Sequence, residues 1–258
     1  MHTARRLLSF SVIFGGLSVG LLATDGPASA QAPAKPAAPA AAPARPPAAP
    51  AKPAPSPGPA APVNVKAVVE RVQKVYEGTQ DLHARFDQET ISVMGKRKAG
   101  GEVWLKKPGK MRWDYARPDK KLFIADGTTL WVYEPEDEQA FQQPLSSSQL
   151  PAQVSFLFGR GRLMDDFDIS AAADLKLGAA GDVVLKLVPK APTVQYRYLA
   201  FVVDPRSSLV KETVVFDQQG GQNHLTFSSI ETNVKGGVDD ARFRFTPPPG
   251  TQIIKGAR

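Results

Sequence analysis

Groups able to do acid–base or metal chemistry are sparse in this chain. Of its three histidines, His2 lies in the leader described below. His83 and His224 stand apart in strand-like runs, without Cys, Asp or Glu at ligand spacing. A bound transition metal needs three or four such donors converging, so no metal site is expected. No Gly-x-Ser-x-Gly elbow, phosphate loop or dinucleotide fingerprint occurs, and Gly159-Arg160-Gly161 lacks both the third glycine and a preceding strand. The acidic runs Glu134 to Glu138 and Asp165 to Asp168 lack the alternating ligands and bidentate Glu of a calcium loop, and read as solvated turns. Nothing selects a carboxylate pair for hydrolysis or a nucleophile beside a base. The expectation is a protein that is not an enzyme and uses no cofactor.

What the chain does concentrate is apolar and aromatic surface. All three tryptophans, Trp104, Trp113 and Trp131, fall between Gly101 and Pro135, with Tyr115, Phe123 and Tyr133. Lys107-Pro108-Gly109, Arg117-Pro118-Asp119 and Asp126-Gly127 divide the stretch into four short apolar runs. Pro presets φ for a turn's first corner and Gly supplies positive φ, so four antiparallel strands joined by tight hairpins are expected. Met111, Trp113 and Tyr115 alternate with Lys110, Arg112 and Asp114, but Lys121 to Ala125 and Leu130 to Tyr133 are apolar at nearly every position. A sheet with one wet face alternates. Apolarity at every position requires two covered faces or a cavity that needs lining, and aromatic-lined hollows are typical ligand sites.

The flanking elements are those that would curl and cover such a sheet. Asn64 can cap a helix running to about Glu77, with Gly78 as its stop. Val65, Val68, Val69, Val72, Val75 and Tyr76 form its apolar stripe, suited to core packing or to a lid. From Leu82 the period becomes two, and Gly100-Gly101 inside the next strand predicts a bulge or bend. Gln149 to Phe158 reads as a short, mostly apolar helix that must cover something or be covered. Strands follow over Phe167 to Ile169, Val183 to Val188, Tyr196 to Val203, Leu209 to Phe216 and His224 to Thr232. Ten or eleven strands and two main helices are predicted, with no helix between successive strands. The fold class is mostly β: a strongly curved antiparallel sheet with helices across it.

The N-terminal quarter belongs to targeting rather than to the fold. Arg5 and Arg6, an apolar core from Leu7 to Ala23, and Ala28-Ser29-Ala30 describe a secretory signal peptide over 1–30, cleaved near Ala30. Ser9, Ser11, Gly15, Gly16, Ser18 and Gly20 dilute the core too far for a permanent span. Residues 31–62 are nearly all Ala and Pro and read as an extended linker. Residues 63–258 then form one domain. With no cysteine there is neither a disulfide framework nor a thiol for lipid anchoring. Of the formal net charge of +7, most is in the leader and linker: they hold five basic residues and one acid, leaving 27 basic against 24 acidic residues in the domain. A nucleic-acid partner is therefore not expected.

The run from Trp104 through Lys107-Pro-Gly-Lys-Met-Arg-Trp-Asp-Tyr115, then Pro118, then Ala125-Asp-Gly-Thr-Thr-Leu-Trp-Val-Tyr-Glu-Pro135, resembles the signature of the periplasmic lipoprotein carrier family, LolA. Phe86-Asp-Gln88 resembles the family's first strand, and Val238 to Gly250 its closing segment, so the resemblance spans 63–254 in order. It implies an unclosed β-barrel whose concave side, covered by helices, encloses a hydrophobic cavity. It also implies a monomeric periplasmic chaperone. Such a chaperone accepts acylated lipoproteins from an inner-membrane ABC transporter and releases them to an outer-membrane receptor.

Carried onto this chain, the cavity lining expected is Phe86, Trp104, Met111, Trp113, Leu122, Ile124, Leu150, Val154, Phe156, Leu157 and Phe158. Lys107 stands where the family commonly has Arg before the hairpin proline. Met111 falls at an apolar position near the expected cavity mouth, and both are candidates for contact with the transfer partners. Other readings of the same fold are a carrier or sensor of another amphiphilic lipid, and the pathway's outer-membrane receptor, which would require a lipidated cysteine.

Overall fold

The computed structural model describes residues 63–147, 156 and 162–256. Helix α1 (Val65–Gly78) begins where the sequence predicts: the Asn64 side chain accepts the Ala67 N–H at 3.0 Å, satisfying one of the first-turn amides. Val68, Val69, Val72 and Tyr76 are its buried side chains, one stripe at helical spacing.

Twelve strands follow, in two blocks. The first holds β1 (Asp81–Ser92), β2 (Gly95–Lys106), β3 (Lys110–Arg117), β4 (Lys121–Asp126), β5 (Thr129–Glu134) and β6 (Gln139–Pro144). After the four-residue helix α2 (Leu163–Asp166) come β7 (Phe167–Ala171), β8 (Val183–Pro189), β9 (Tyr198–Val203), β10 (Val210–Phe216), β11 (Gln222–Thr232) and the terminal β12 (Gln252–Lys255). They form one curved sheet in the order β12-β6-β5-β4-β3-β2-β1-β11-β10-β9-β8-β7, with β12 and β7 as edges, so the barrel is not closed. Two hairpin meanders are joined by the pairing of β1 with β11, and every neighbour is antiparallel except β12 with β6.

The sheet differs from the sequence expectation at one margin. Of the two strands not foreseen, β6 carries three Gln and a Pro in six residues, and β12 is a short parallel edge. Neither has an apolar alternation of its own; each forms because a neighbour offers unpaired backbone. The expected irregularity at Gly100-Gly101 is present as a register shift between β2 and β3. A Cβ on Gly101 would stand 1.8 Å from the Asp114 backbone oxygen, so only glycine permits this approach.

Candidate functional site

Strand register assigns every side chain to one of two faces, because Cα partners on adjacent strands point the same way. One row runs Ala84, Val103, Trp113, Phe123, Val132, Phe141. The next row runs His83, Trp104, Arg112, Ile124, Trp131, Gln142. The first belongs to the face that α1 covers, called inner below; the second belongs to the outer face.

The inner face is one continuous apolar cluster. It draws Leu82, Ala84 and Phe86 from β1, Met111 and Trp113 from β3, Leu130 from β5, and Leu185 to Phe227 positions from β8 to β11, with α1 across them. Its centre is aromatic. The Phe86 ring meets Trp113 and Tyr115 edge-on at 4.9 and 4.8 Å, Tyr115 lies 5.6 Å from Phe123, and Trp113 lies 6.3 Å from Phe227. Phe86 and Tyr115 are both register partners of Gly101, so their rings flank the position where β2 has no side chain. Burial holds the Tyr115 phenol well above its ordinary pKa, and the whole assembly is uncharged near neutral pH. Among the described residues no group of three or more His, Cys, Asp or Glu could hold a metal ion.

Polar ties among the described residues help to hold helix α1 over this face. The Tyr76 hydroxyl accepts the Val210 N–H at 3.1 Å within the core, and burial pushes the Tyr76 pKa up to about 12. The Leu163 N–H donates to Gln73 Oε1 at 3.2 Å, joining α1 to α2. Lys107 Nζ donates to the Tyr76 and Glu77 carbonyls at 2.7 and 3.0 Å, a cation set on the negative end of the helix dipole. Desolvation lowers the Lys107 pKa, opposed by the Glu77 charge. Phe156 is buried between helix and sheet, its ring 4.9 Å from Tyr76 and 5.8 Å from Phe201.

The expected lining residues divide between the faces. Phe86, Met111, Trp113 and Phe156 come together on the inner face. Trp104, Leu122 and Ile124 do not; their register places them outside, which corrects the expectation that they share a cavity with Trp113. The reason is parity: Trp104 pairs with Arg112, one residue out of phase with Trp113. Met111 is fully buried, so the expectation that it meets a partner at an open mouth is also corrected for this conformation. Leu150, Val154, Leu157 and Phe158 lie outside the described residues. Tyr115, Phe123, Phe201 and Phe227 also belong to the inner cluster and were not among the expected lining residues. Alternation already set Tyr115 on the same side as Trp113, whereas Phe201 and Phe227 required the β1–β11 pairing.

The C-terminal segment covers part of the outer face. A 3-10 turn over Asp240–Phe243 brings Phe243 and Val238 into a separate buried cluster with Trp104. Phe245 packs on Trp131 and Tyr133 at 5.4 and 5.3 Å. Arg242 lies over the Trp104 ring, 4.3 Å from its centroid, and His83 stacks on Trp104 with ring centroids 5.0 Å apart. Lys106 and Lys110 each reach Asp240, at 2.6 and 2.8 Å, and hold its carboxyl down at about 2. Apolarity at every position of β4 and β5 therefore reflects two covered faces.

The chain is similar in sequence to proteins of known description. Residues 77–246 match the family model described as outer membrane lipoprotein carrier protein LolA. An outer-membrane lipoprotein carrier protein of Xanthomonas campestris pv. campestris is 30% identical over 183 residues, covering 70% of this chain and 85% of that protein. One of Chromobacterium violaceum is 28% identical over 181 residues, covering 69% and 83%. Among solved structures, a LolA superfamily protein of Nitrosomonas europaea superposes with a TM-score of 0.39 at 13% identity, covering 71% of this chain and 98% of that one. With two thirds of its length, the aromatic meander included, inside the family model, this chain belongs to the outer membrane lipoprotein carrier protein LolA family.

Proposed function

We propose that this protein is a periplasmic carrier that takes acylated lipoproteins released from the inner membrane, shields their acyl chains against the inner face of the sheet, and delivers them to the outer membrane. The observation that carries the reading is the continuous aromatic and aliphatic inner face beneath helix α1, which meets it with an apolar stripe. Each acyl methylene removed from water is worth about 0.8 kcal/mol. When α1 shifts, the apolar area it uncovers is covered again by cargo, so loading exchanges one apolar contact for another. Such an exchange permits release as well as capture. The work needs no proton transfer and no electrophile, in keeping with a role as a chaperone rather than an enzyme.

The partners on this reading are an inner-membrane lipoprotein-releasing ABC transporter and an outer-membrane receptor, with the carrier acting as a monomer and Lys107 at the hinge between cover and sheet. The test is release: protein from a periplasmic extract is added to proteoliposomes holding the transporter and a radiolabelled lipoprotein. A soluble one-to-one complex that requires the acyl chains supports the proposal. Tight binding of another lipid, with no release of any acylated protein, favours instead a carrier of a different amphiphile.

A further inference from the structure

We propose that the β1–β2 hairpin tip is a docking element for an anionic phospholipid bilayer. This surface lies outside the apolar interior and does not depend on what the interior carries. Val93 and Met94 form the tip and are 92% and 78% exposed, against the nearly complete burial of most other large apolar side chains of β1 to β5. Their exposure is built in. Ser92 Oγ accepts the Met94 N–H at 3.2 Å and Gly95 takes a φ of +109°, so a defined turn presents both side chains. The tip also projects. The overhang is on the β3 side: β3 pairs with β2 only from Gly100 onward, so Gly95 to Ala99 have β1 as their sole strand partner among the described residues, while β11 backs β1 as far as Ile91. Five residues of strand carry the tip about 16 Å beyond β3.

Behind the apolar tip stands a collar of consecutive cations, Lys96, Arg97 and Lys98. Register places Lys96 opposite Ile91 and Lys98 opposite Glu89 on the outer face, with Arg97 opposite Thr90 on the other, so positive charge flanks the ribbon on both sides. Glu89 lies between the two outer-face lysines, 3.0 Å from Lys96 Nζ and 3.6 Å from Lys98 Nζ. One carboxylate shared by two lysines leaves the outer side of the ribbon net positive. Lysines on an unpaired strand edge also discourage edge-to-edge pairing, but that role does not account for two apolar side chains held out in water.

The charge selects the occupant. The Ala/Pro segment of this chain carries Lys35, Arg45 and Lys52 and no acid between 31 and 62, so it is repelled, as is the same tip of a second copy. A two-residue convex tip offers no pocket and falls far short of the roughly 1,000 Å² that a stable protein interface buries. A bilayer needs no matching shape: it accepts apolar side chains below its head groups and gathers basic residues at an anionic surface.

The chain has no cysteine, so a single Cys can be labelled uniquely. The protein from a periplasmic extract is mixed with phosphatidylcholine vesicles containing or lacking about a third phosphatidylglycerol, and flotation is measured at low and high salt. Each basic residue near such a surface contributes about five-fold in partitioning, so K96Q/R97Q/K98Q is expected to bind anionic vesicles at least ten-fold more weakly. V93S/M94S should lose about ten-fold, and both variants should still capture acylated cargo. An environment-sensitive dye on Val93→Cys should shift to the blue with anionic vesicles, while the same dye on Lys235→Cys should not. Equal flotation of wild type and both variants, or no flotation of wild type, overturns the proposal. So does unchanged vesicle binding by variants that have lost association with an acidic protein.

Discussion

Lys107→Met tests how α1 is kept over the inner face. The substitution keeps an unbranched apolar stem and removes an ammonium that donates to the Tyr76 and Glu77 carbonyls at 2.7 and 3.0 Å. A hydrogen bond from a charged donor contributes about 1.5–3 kcal/mol in a protected setting. Lys107 is only half-buried, so water replaces part of each bond and the effect is screened; about 1 kcal/mol is the appropriate figure for the pair. That corresponds to a roughly five-fold larger population of α1 detached from the sheet. The assay is native-state amide exchange of the last turn of α1, read beside amides of β3 as an internal reference. The variant should exchange about five-fold faster at Tyr76 to Thr79, with β3 unchanged, and Lys107→Arg should stay within two-fold of wild type because a guanidinium can reach both carbonyls. Unchanged exchange in Lys107→Met would refute the reasoning, as would equal acceleration in β3.

Three further perturbations follow from the same geometry. Gly101→Ala places a methyl 1.8 Å from the Asp114 backbone oxygen; it should cost at least 3 kcal/mol in chemical denaturation or prevent folding, and a loss below 1 kcal/mol would show that the β2–β3 approach relaxes easily. Tyr76→Phe leaves the buried Val210 N–H without its acceptor and should destabilise by about 1–3 kcal/mol, checked by urea denaturation; a neutral result would mean that the amide finds another partner. The Asp240 carboxyl sits at about 2, below its unfolded value, through Lys106 first and then Lys110; the contribution of its ion pairs is therefore complete above pH 4 and lost as pH falls through about 2. Carbon-detected NMR should place that titration near 2, whereas a midpoint near 3.8 would show that the ion pairs do not form in solution.

The hairpin series was legible because its turns announce themselves. Lys107-Pro108-Gly109 and Asp126-Gly127 mark corners whose backbone few other residues adopt, and Asn64 and Gly78 mark the helix ends. The face of each aromatic residue was not legible to the same depth. Alternation assigns Met111, Trp113 and Tyr115 to one side, but carrying that assignment to β2 or β4 needs the register. There one residue of phase sends Trp104 and Ile124 to the outer face. The two-sided apolarity of β4 and β5 carried the needed warning, since a second covered face was one of its two explanations. Its cover, Val238 to Phe245, lies more than a hundred residues away and meets the meander only through tertiary packing. β6 and β12 were hidden for a related reason, as their own sequences carry little strand pattern and their neighbours supply the pairing.

The inner face as the surface that holds acyl chains is open to direct test by site-specific photo-crosslinking. Tyr115 lies in the inner cluster and Tyr133 on the outer face beside Phe245, so a photoreactive phenylalanine analogue replaces a similar ring at either position. With acylated lipoprotein released from inner-membrane vesicles, the probe at Tyr115 should cross-link to the cargo's lipid, and the probe at Tyr133 should not. Cross-links at Tyr133 alone, or equal yields from a cargo lacking acyl chains, would contradict the account.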